Sequence, residues 1–288
     1  MARIAFIGLG VMGAPIARHL AAAGHVLVVH NRNMDKARAW VEANGGSHAA
    51  TPAAAAGNAD AVITCVGTDD DLEAVCLGPH GAFRNIRAGA LFVDHTTVSA
   101  RLARRLAEAG AAQGLHIVDA PVSGGQAGAE SGRLSIMCGG SDEALAIAHP
   151  LMAHYAARVV HIGEAGSGQL TKMVNQIAIA GLLQGLSEAV AFTAAAGLDS
   201  DKVLEAVSGG AAQSWQMVNR WQTMAKGEFD FGFAVDWMRK DLGLAIEEAR
   251  SNGSALPVTA LVDQFYADIQ AMGGSRQDTS SLIRRLTR

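Results

Sequence analysis

Two residues near the middle of the chain have the types and spacing of a proton-transfer site. Lys172 and Asn175 lie in the stretch 166–176, which opens the longest apolar run of the sequence. Residues three apart share one face of a helix. A lysine among small and apolar side chains has its charged form disfavoured, so it can give and take a proton near neutral pH. The alternative is a lysine in a first helical turn with its amine in water.

A glycine-rich turn at the start of the chain predicts a dinucleotide site. Residues 8–13 read Gly-Leu-Gly-Val-Met-Gly, with a short apolar run before them and helical spacing after them. In this context the first glycine permits a tight turn, the second lets a pyrophosphate approach, and the third lets helix and strand pack closely. The phosphates would sit at the helix N-terminus, where free amides favour anions. The predicted cofactor-binding residues here are Gly8, Leu9, Gly10, Val11, Met12 and Gly13.

The end of the second predicted strand indicates which dinucleotide is bound. An acidic residue there would bond the ribose 2′-hydroxyl of NAD. The chain instead reads His30-Asn31-Arg32, and its first acid is Asp35. The planar guanidinium of Arg32 suits a 2′-phosphate, so we expect Asn31 and Arg32 to contact the cofactor and NADP to be favoured over NAD. The alternative is that Arg32 is a solvated loop charge.

Three further strand ends carry candidate ligand contacts. In a doubly wound sheet, residues just past the carboxyl ends of the strands line the ligand crevice. This nominates Cys65 and Val66 after one strand and Thr96 after the next. Residues 122–132 are rich in glycine and serine, and Ser123, Gly124 and Gly125 could present several donors to a carboxylate. A surface turn is the alternative for that segment.

The elements that must position these residues fall into two halves. Short buried runs at 3–8, 26–29, 61–66, 91–94, 116–118, 134–138 and 159–162 alternate with helical patterns. From residue 166 onward only helices are indicated, at 169–196, 200–207, 215–225, 234–252, 257–272 and 280–286. We predict an α/β Rossmann-type N-terminal domain at 1–163 and an all-α C-terminal domain at 164–288. The first of these helices is apolar nearly all round, so burial on several sides is expected, with a second subunit helping to cover it.

Composition narrows the class of protein. The chain has 288 residues and a net charge of −4 with interspersed charges, which does not suit nucleic-acid binding or a polybasic membrane anchor. Three cysteines without metal-ligand spacing suit a reducing compartment. The histidines also lack metal spacing, so no metal is expected. No secretory signal is visible, and the apolar run at 177–196 is interrupted by polar residues, so we predict a cytoplasmic protein.

Four stretches together resemble the β-hydroxyacid dehydrogenase family, which includes 3-hydroxyisobutyrate dehydrogenase and tartronate semialdehyde reductase. They are 6–13 (Phe-Ile-Gly-Leu-Gly-Val-Met-Gly), 119–125 (Asp-Ala-Pro-Val-Ser-Gly-Gly), 166–176 (Gly-Ser-Gly-Gln-Leu-Thr-Lys-Met-Val-Asn-Gln) and 233–242 (Phe-Ala-Val-Asp-Trp-Met-Arg-Lys-Asp-Leu). They occur in the family's order and roughly its spacing. The similarity runs nearly end to end.

The resemblance implies a role for each matching residue. Lys172 matches the family's catalytic acid/base, and Asn175 matches the asparagine that holds the substrate. Ser123, Gly124 and Gly125 match the residues that bind the substrate carboxylate. Thr96 matches a cofactor contact, and Lys240 matches a lysine near both nicotinamide and substrate. The chain departs from the family after one strand, where Cys65-Val66-Gly67 replaces Met-Leu-Pro and contacts are expected through the backbone.

The implied function is NAD(P)-dependent interconversion of a short 3-hydroxy acid and its semialdehyde or keto acid by hydride transfer. The partners expected are a small carboxylate substrate and a second copy of the chain, as a homodimer or homotetramer. Two alternatives stay open: an imine reductase of the same fold, whose members usually lack the lysine, and a dinucleotide-binding protein without turnover. The physiological 3-hydroxy acid is not indicated by the sequence.

Overall fold

The structure is a computed structural model that describes residues 1–286. These residues divide into two compact units, Met1–Lys172 and a second unit that begins at Met173, and the division falls inside one long helix, further along the chain than the predicted joint at 163 and 164. The last two residues of the predicted second domain lie outside the described range. Each unit has its own apolar core.

The first unit is built on a sheet with nine strands among the described residues. The strands are β1 (Arg3–Ile7), β2 (Val26–His30), β3 (Ser47–His48), β4 (Ala61–Thr64), β5 (Leu91–Asp94), β6 (His116–Asp119), β7 (Val122–Ser123), β8 (Leu134–Gly140) and β9 (Ala156–Gly163). Six run parallel in the order β3-β2-β1-β4-β5-β6, the order of a dinucleotide-binding sheet. β8 pairs antiparallel with β6 and β7, and β9 runs parallel to β8.

Helices cover this sheet on both faces, since successive residues of β1 belong to two different core clusters, and β4 and β5 are buried along their whole length. The helices are α1 (Gly13–Ala22), α2 (Met34–Asn44), α3 (Pro52–Ala56), α4 (Asp69–Leu77), α5 (Ala100–Ala111), α6 (Gly125–Glu130) and α7 (Asp142–Met152). One core cluster packs around Phe6, Leu20 and Trp40, and the other around Ile7, Leu72 and Phe92. Burying such a side chain stabilises the fold by about 1.5–3 kcal/mol.

Side-chain caps start several helices of the first unit. Thr51 and Ser99 accept hydrogen bonds from amides three residues later, at the starts of α3 and α5. The acidic run 69–71 begins α4, as expected from the helix dipole. The strands β3 and β7 and the helix α6 were not predicted, so the segment 122–132 is more regular than expected.

Helices are the regular elements of the described residues beyond the sheet. They are α8 (Ser167–Ala195), α9 (Ser200–Val207), α10 (Trp215–Lys226), α11 (Val235–Asn252) and α12 (Pro257–Ala271), followed by a 3₁₀ segment at Thr279–Arg285. The predicted helices agree with these within a few residues, apart from the last one, which is 3₁₀. In the second unit, Leu183, Met238, Tyr266 and Leu282 form one core cluster, and Trp221 lies at the centre of another.

The long helix α8 is less enclosed than its composition predicts. It is the one helix among the described residues that is apolar and long enough to cross a membrane. A stripe from Gln169 to Thr193 is buried, and it includes the polar side chains of Gln176 and Ser187. A second stripe with spacings of three and four is exposed in the chain; it comprises Val174, Ala178, Leu182, Gly185, Ala189 and Phe192. Within one chain α8 is therefore buried on one side only, and the covering of its second stripe by another subunit stays a prediction.

Candidate functional site

The glycine turn after β1 has the shape that a bound pyrophosphate requires. Gly8 has a φ of +101°, and a Cβ there would overlap the Cys65 carbonyl oxygen. A Cβ at Gly13 would overlap the Gly8 carbonyl oxygen, which explains the close packing of α1 on β1. At Gly10 the space is open, with nothing within 4 Å of the position a Cβ would take. Two glycines therefore serve the turn, and the third leaves room for a ligand.

The end of β2 is joined directly to this turn. The amide of Leu9 donates to Oδ1 of Asn31 at 3.0 Å, and the side-chain amide of Asn31 donates to the Asn33 carbonyl at 2.9 Å. Asn31 is therefore held against the glycine turn. Arg32 is different: its side chain is 91% exposed and forms a 3.1 Å ion pair with Asp71 at the start of α4. Exposure leaves the guanidinium able to change partners at little cost.

The ends of β4 and β5 are tied together at Thr96. Its buried hydroxyl accepts a 3.0 Å hydrogen bond from the amide of Val66, and its amide donates to Oδ1 of Asp94 at 3.0 Å. Thr64 also donates to that oxygen, at 2.7 Å. Cys65 and Val66 are half-buried. The structure thus brings two predicted cofactor contacts, Val66 and Thr96, into direct contact.

Burial shifts the pKa values of two adjacent residues, Asp94 and His95, in opposite directions. Burial raises the pKa of Asp94 to about 7, although the hydrogen bonds from Thr96 and Thr64 lower it. Burial lowers the pKa of His95 to about 4. His95 Nδ1 lies 2.7 Å from the Ala120 carbonyl and must donate to it, so Nε2 accepts from the Tyr155 hydroxyl at 2.9 Å. His95 is therefore a neutral structural residue near neutral pH.

The predicted carboxylate-binding segment lies at the junction of β7 and α6. Ser123 ends β7 and is half-buried, whereas Gly124 and Gly125 are exposed. Both glycines have positive φ, +129° and +61°, a conformation that glycine adopts without strain. This backbone turns the chain sharply between strand and helix. Gly124 and Gly125 therefore allow this sharp turn without backbone strain.

Lys172 lies in α8, about one turn after the start of the helix, which is capped by a residue of the sheet. Oδ1 of Asp119, at the end of β6, accepts from the Gly166 amide at 2.7 Å, and Oδ2 accepts from the Gln169 amide at 3.0 Å. Burial raises the pKa of Asp119, and the amides of Gly166 and Gln169 lower it. A Cβ at Gly168 would lie 2.6 Å from the Asp119 carbonyl oxygen, so the helix start sits directly on the strand. The side chain of Lys172 itself is buried, with 8% of its surface exposed.

The second unit holds its two predicted site residues through a chain of polar contacts. Asn175 donates from Nδ2 to Oε1 of Gln176 at 2.7 Å, and Gln176 donates from Nε2 to Oδ2 of Asp241 at 2.7 Å. Lys240 Nζ lies 3.0 Å from Oδ1 of the same carboxylate, an ion pair whose geometry falls short of a hydrogen bond. Asp241 is buried. Asn175 and Lys240 are therefore oriented by one carboxylate.

Sequence reasoning missed several of these supporting residues. It assigned no role to Asp119, Gln169 or Gln176, and it placed Asp241 in the fourth family-like stretch without a role. Asp119 follows a buried strand, which was a usable signal for a residue at the ligand edge. Gln169 and Gln176 carried no such signal, because their partners lie far away in the sequence.

The glycine turn suits a bound dinucleotide. Open space at Gly10 beside the start of α1 is the cradle that a pyrophosphate fills. Among residues 1–286, no group of three or more His, Cys, Asp or Glu side chains is placed to hold a metal ion. The donors at the ends of β4, β5 and β6 are hydroxyls, amides and backbone groups. They suit the recognition of an organic ligand.

Comparison with known proteins relates both halves of the chain to one class of enzyme. The family model for the NAD-binding domain of 6-phosphogluconate dehydrogenase matches residues 3–163. The model described as NAD-binding of NADP-dependent 3-hydroxyisobutyrate dehydrogenase matches residues 166–286.

Individual relatives match nearly the whole of this chain. An uncharacterized oxidoreductase of Shewanella frigidimarina is 57% identical, over 99% of this chain and 98% of its own. A probable mitochondrial 3-hydroxyisobutyrate dehydrogenase-like protein of Arabidopsis thaliana is 38% identical, over 99% and 85%. The 3-hydroxyisobutyrate dehydrogenase of Mycobacterium tuberculosis, solved with L-serine, is 30% identical, with a TM-score of 0.90 and full coverage of both chains.

Proposed function

Because this chain belongs to the β-hydroxyacid dehydrogenase family of NAD(P)-dependent oxidoreductases, we propose that Lys172 is the general acid/base of a 3-hydroxy acid dehydrogenase. The reaction interconverts a short 3-hydroxy acid and its semialdehyde or keto acid by hydride transfer. The observation that carries the role of Lys172 is its burial one turn beyond the start of α8, where Asp119 fixes the helix. A solvated surface lysine would not need that support.

The proton and the hydride leave the substrate by separate routes in this mechanism. In oxidation, the neutral amine of Lys172 accepts the hydroxyl proton while the carbon–hydrogen bond breaks and the carbonyl forms. In reduction, the ammonium of Lys172 returns that proton to the carbonyl oxygen. When bound, the nicotinamide supplies the hydride acceptor or donor. General acid/base catalysis of this kind contributes about 10²–10⁴ in rate.

Substrate binding is assigned to two groups of residues. Ser123, Gly124 and Gly125 bind the substrate carboxylate, supported by the sharp turn that the two positive-φ glycines make. Asn175 holds the substrate hydroxyl, and Lys240 adds positive charge beside substrate and nicotinamide. The shared carboxylate of Asp241 supports both assignments, because it limits the side-chain freedom of Asn175, through Gln176, and of Lys240.

NADP is the favoured cofactor in this proposal. Gly8 to Gly13 receive the pyrophosphate, Cys65, Val66 and Thr96 contact the nicotinamide side, and Asn31 and Arg32 receive the 2′-phosphate. The exposed Arg32 guanidinium supports this choice, since its present partner Asp71 can be exchanged for a phosphate. The strand end carries no acidic residue to bond a ribose 2′-hydroxyl.

The protein acts as a homo-oligomer, a dimer or a tetramer. The exposed apolar stripe of α8 supports this, because Phe192 is 70% exposed and Val174 is 64% exposed. A continuous apolar stripe on a long helix is typical of an interface between subunits. The three cysteines are free thiols, which supports a place in the reducing cytoplasm.

One experiment tests the reaction and the cofactor together. Steady-state oxidation of 3-hydroxyisobutyrate, 3-hydroxypropionate, glycerate, serine and 4-hydroxybutyrate would be measured with NADP and with NAD. Turnover of one acid with NADP preferred is the expected result, and it names the substrate. Turnover with NAD preferred would retain the chemistry and reject Arg32 as a phosphate contact. No turnover with NADPH still binding would favour imine reduction or a non-catalytic role.

A further inference from the structure

Both polar atoms of the Gln169 side chain form hydrogen bonds with a loop that is distant in the sequence. Nε2 donates to the Thr96 carbonyl at 2.7 Å, and Oε1 accepts from the Val98 amide at 3.0 Å. Gln169 is fully buried, so water does not offer these groups an alternative. One side-chain amide therefore satisfies a donor and an acceptor of the chain between β5 and α5.

The loop that Gln169 holds is itself joined to the neighbouring strand end. Thr96 accepts from the Val66 amide through its hydroxyl and donates to Asp94 through its own amide. Displacing the Thr96 backbone would therefore also disturb the segment after β4, through the Val66 amide. Both segments carry residues assigned to the nicotinamide side of the cofactor.

The backbone of Gln169 is held in place independently of its side chain. Its backbone amide donates to Asp119, which also accepts from Gly166 and so caps α8 without help from the Gln169 side chain. The helix would begin at the same place with another residue here. The side-chain contacts of Gln169 thus serve a purpose other than starting the helix. Lys172 is three residues further on, in the next turn of α8.

We propose that Gln169 is a positioning residue that couples the segments bearing Val66 and Thr96 to the helical turn bearing Lys172. This inference rests on the proposed function, because it concerns the alignment of the proton-transfer group with the cofactor-binding loops. Small losses of alignment have large kinetic effects: a displacement of about 1 Å costs roughly a hundredfold in rate.

The principal variant is Gln169→Leu, which removes both polar atoms at similar volume. We expect kcat to fall roughly ten- to hundredfold while the KM for the hydroxy acid changes little. The matched control is Gln270→Leu, because Gln270 also accepts at Oε1, from Arg239, and donates at Nε2, to Asp236, but it does so between α11 and α12. The control is expected to lose thermal stability and to keep kcat.

A second variant, Gln169→Glu, keeps the test decisive should the leucine variant fold poorly. A protonated carboxyl can donate to Thr96 and accept from Val98, whereas a carboxylate can only accept. The ratio of variant to wild-type kcat should therefore be high in acid and fall as the pH rises. A ratio that does not change with pH would contradict the proposed hydrogen-bond role.

Amide hydrogen exchange separates this proposal from the proposed function. In Gln169→Leu, exchange should increase at residues 64–68, which are joined to Thr96 by the Val66 amide, and this readout needs no turnover. A wild type that oxidises hydroxy acids, together with a variant of normal kcat or normal exchange at 64–68, would overturn the positioning role alone. An inactive wild type would overturn the proposed function, and increased exchange would still support the coupling.

Discussion

The side-chain amide of Gln176 donates a 2.7 Å hydrogen bond to the buried carboxylate of Asp241, 65 residues further along the chain. The same carboxylate faces Lys240, and Gln176 in turn accepts from Asn175. A single negative charge therefore orients two side chains assigned to substrate binding. This makes Asp241 a place where the proposed site can be tested without touching its ligand contacts.

Replacing Asp241 with asparagine keeps its shape and removes its charge. We expect kcat/KM for the hydroxy acid to fall roughly ten- to hundredfold, the equivalent of losing one hydrogen bond to a charged group at about 1.5–3 kcal/mol. The control is Asp263→Asn in α12, which breaks the ion pair of Asp263 with Arg239. Arg239 lies on α11, the helix that also carries Asp241. Equal kinetic losses in the two variants would show that Asp241 has only a general structural role.

Lys172→Ala tests the proton-transfer role directly. We expect kcat to fall by about 10²–10⁴, because no other group is assigned to take the hydroxyl proton. The dissociation constant of NADPH, measured by titration of its fluorescence, should stay close to that of the wild type. Lys226→Ala, at the end of α10, is the control for removing a lysine. Loss of NADPH binding in Lys172→Ala would count against the assignment.

Arg32→Ala should separate the two cofactors. We expect NADP affinity to weaken roughly ten- to hundredfold, since a charge-assisted contact with the 2′-phosphate is lost, and NAD affinity to be unchanged. Calorimetric titration of both cofactors measures this. Asp71→Asn is the matched variant, because it removes the present partner of Arg32 and should leave NADP binding equal or tighter. Equal weakening toward both cofactors would reject the phosphate contact.

The buried carboxyl of Asp94 predicts a pH dependence of stability. Burial raises its pKa to about 7 from 3.8, so between about pH 4 and 7 the folded protein holds a proton that the unfolded chain has released. The free energy of unfolding therefore decreases as the pH rises through this window. Asp94→Asn does not ionise, so its stability relative to wild type should increase with pH, by on the order of 4 kcal/mol at most.

Urea denaturation of the two proteins at several pH values measures this difference. Other titrating groups, including Asp119 and His95, are common to both proteins, so their contributions cancel to first order. A difference that stays constant from pH 4 to pH 8 would mean that Asp94 is ionised in the folded protein throughout.

The exposed stripe of α8 predicts how the oligomer can be broken. Leu182→Glu places a charge in the middle of the stripe, and we expect the mass measured by light scattering to fall toward that of one chain. Leu198→Glu is the control, because Leu198 is also an exposed leucine but lies beyond the end of the helix. An unchanged mass in the Leu182 variant would place the interface elsewhere.

The parts of the fold that could be predicted are those in which a local residue pattern indicates burial or helical spacing. The buried runs of isoleucine and valine indicate the central strands, and the helical spacing after Gly166 indicates the second half. The strands β3 and β7 have two residues each, so their pairing is decided by neighbouring strands. Helix α6 contains two glycines and has low helix propensity. It is supported by contacts of its last carbonyls with Arg18 and His19, which the sequence does not show.

The same distinction applies to the candidate site. Lys172 and Asn175 could be nominated because three-residue spacing places them on one helical face. The contacts of Asp119 with Gln169, and of Gln176 with Asp241, join residues 50 and 65 positions apart. No local pattern encodes such distances. Composition does not show which side of α8 is covered within one chain, because an apolar surface that meets solvent in one chain has the same composition as an enclosed one.

The three glycines of the first turn are constrained by different neighbours. Gly8 and Gly13 are required by the backbone around them, so a descendant that had lost the cofactor would still retain both in order to fold. Gly10 faces open space, and only a ligand demands that it stay small. Substitution at Gly10, with its two neighbours retained, would therefore be the mark of a lineage that has kept this architecture and abandoned its chemistry.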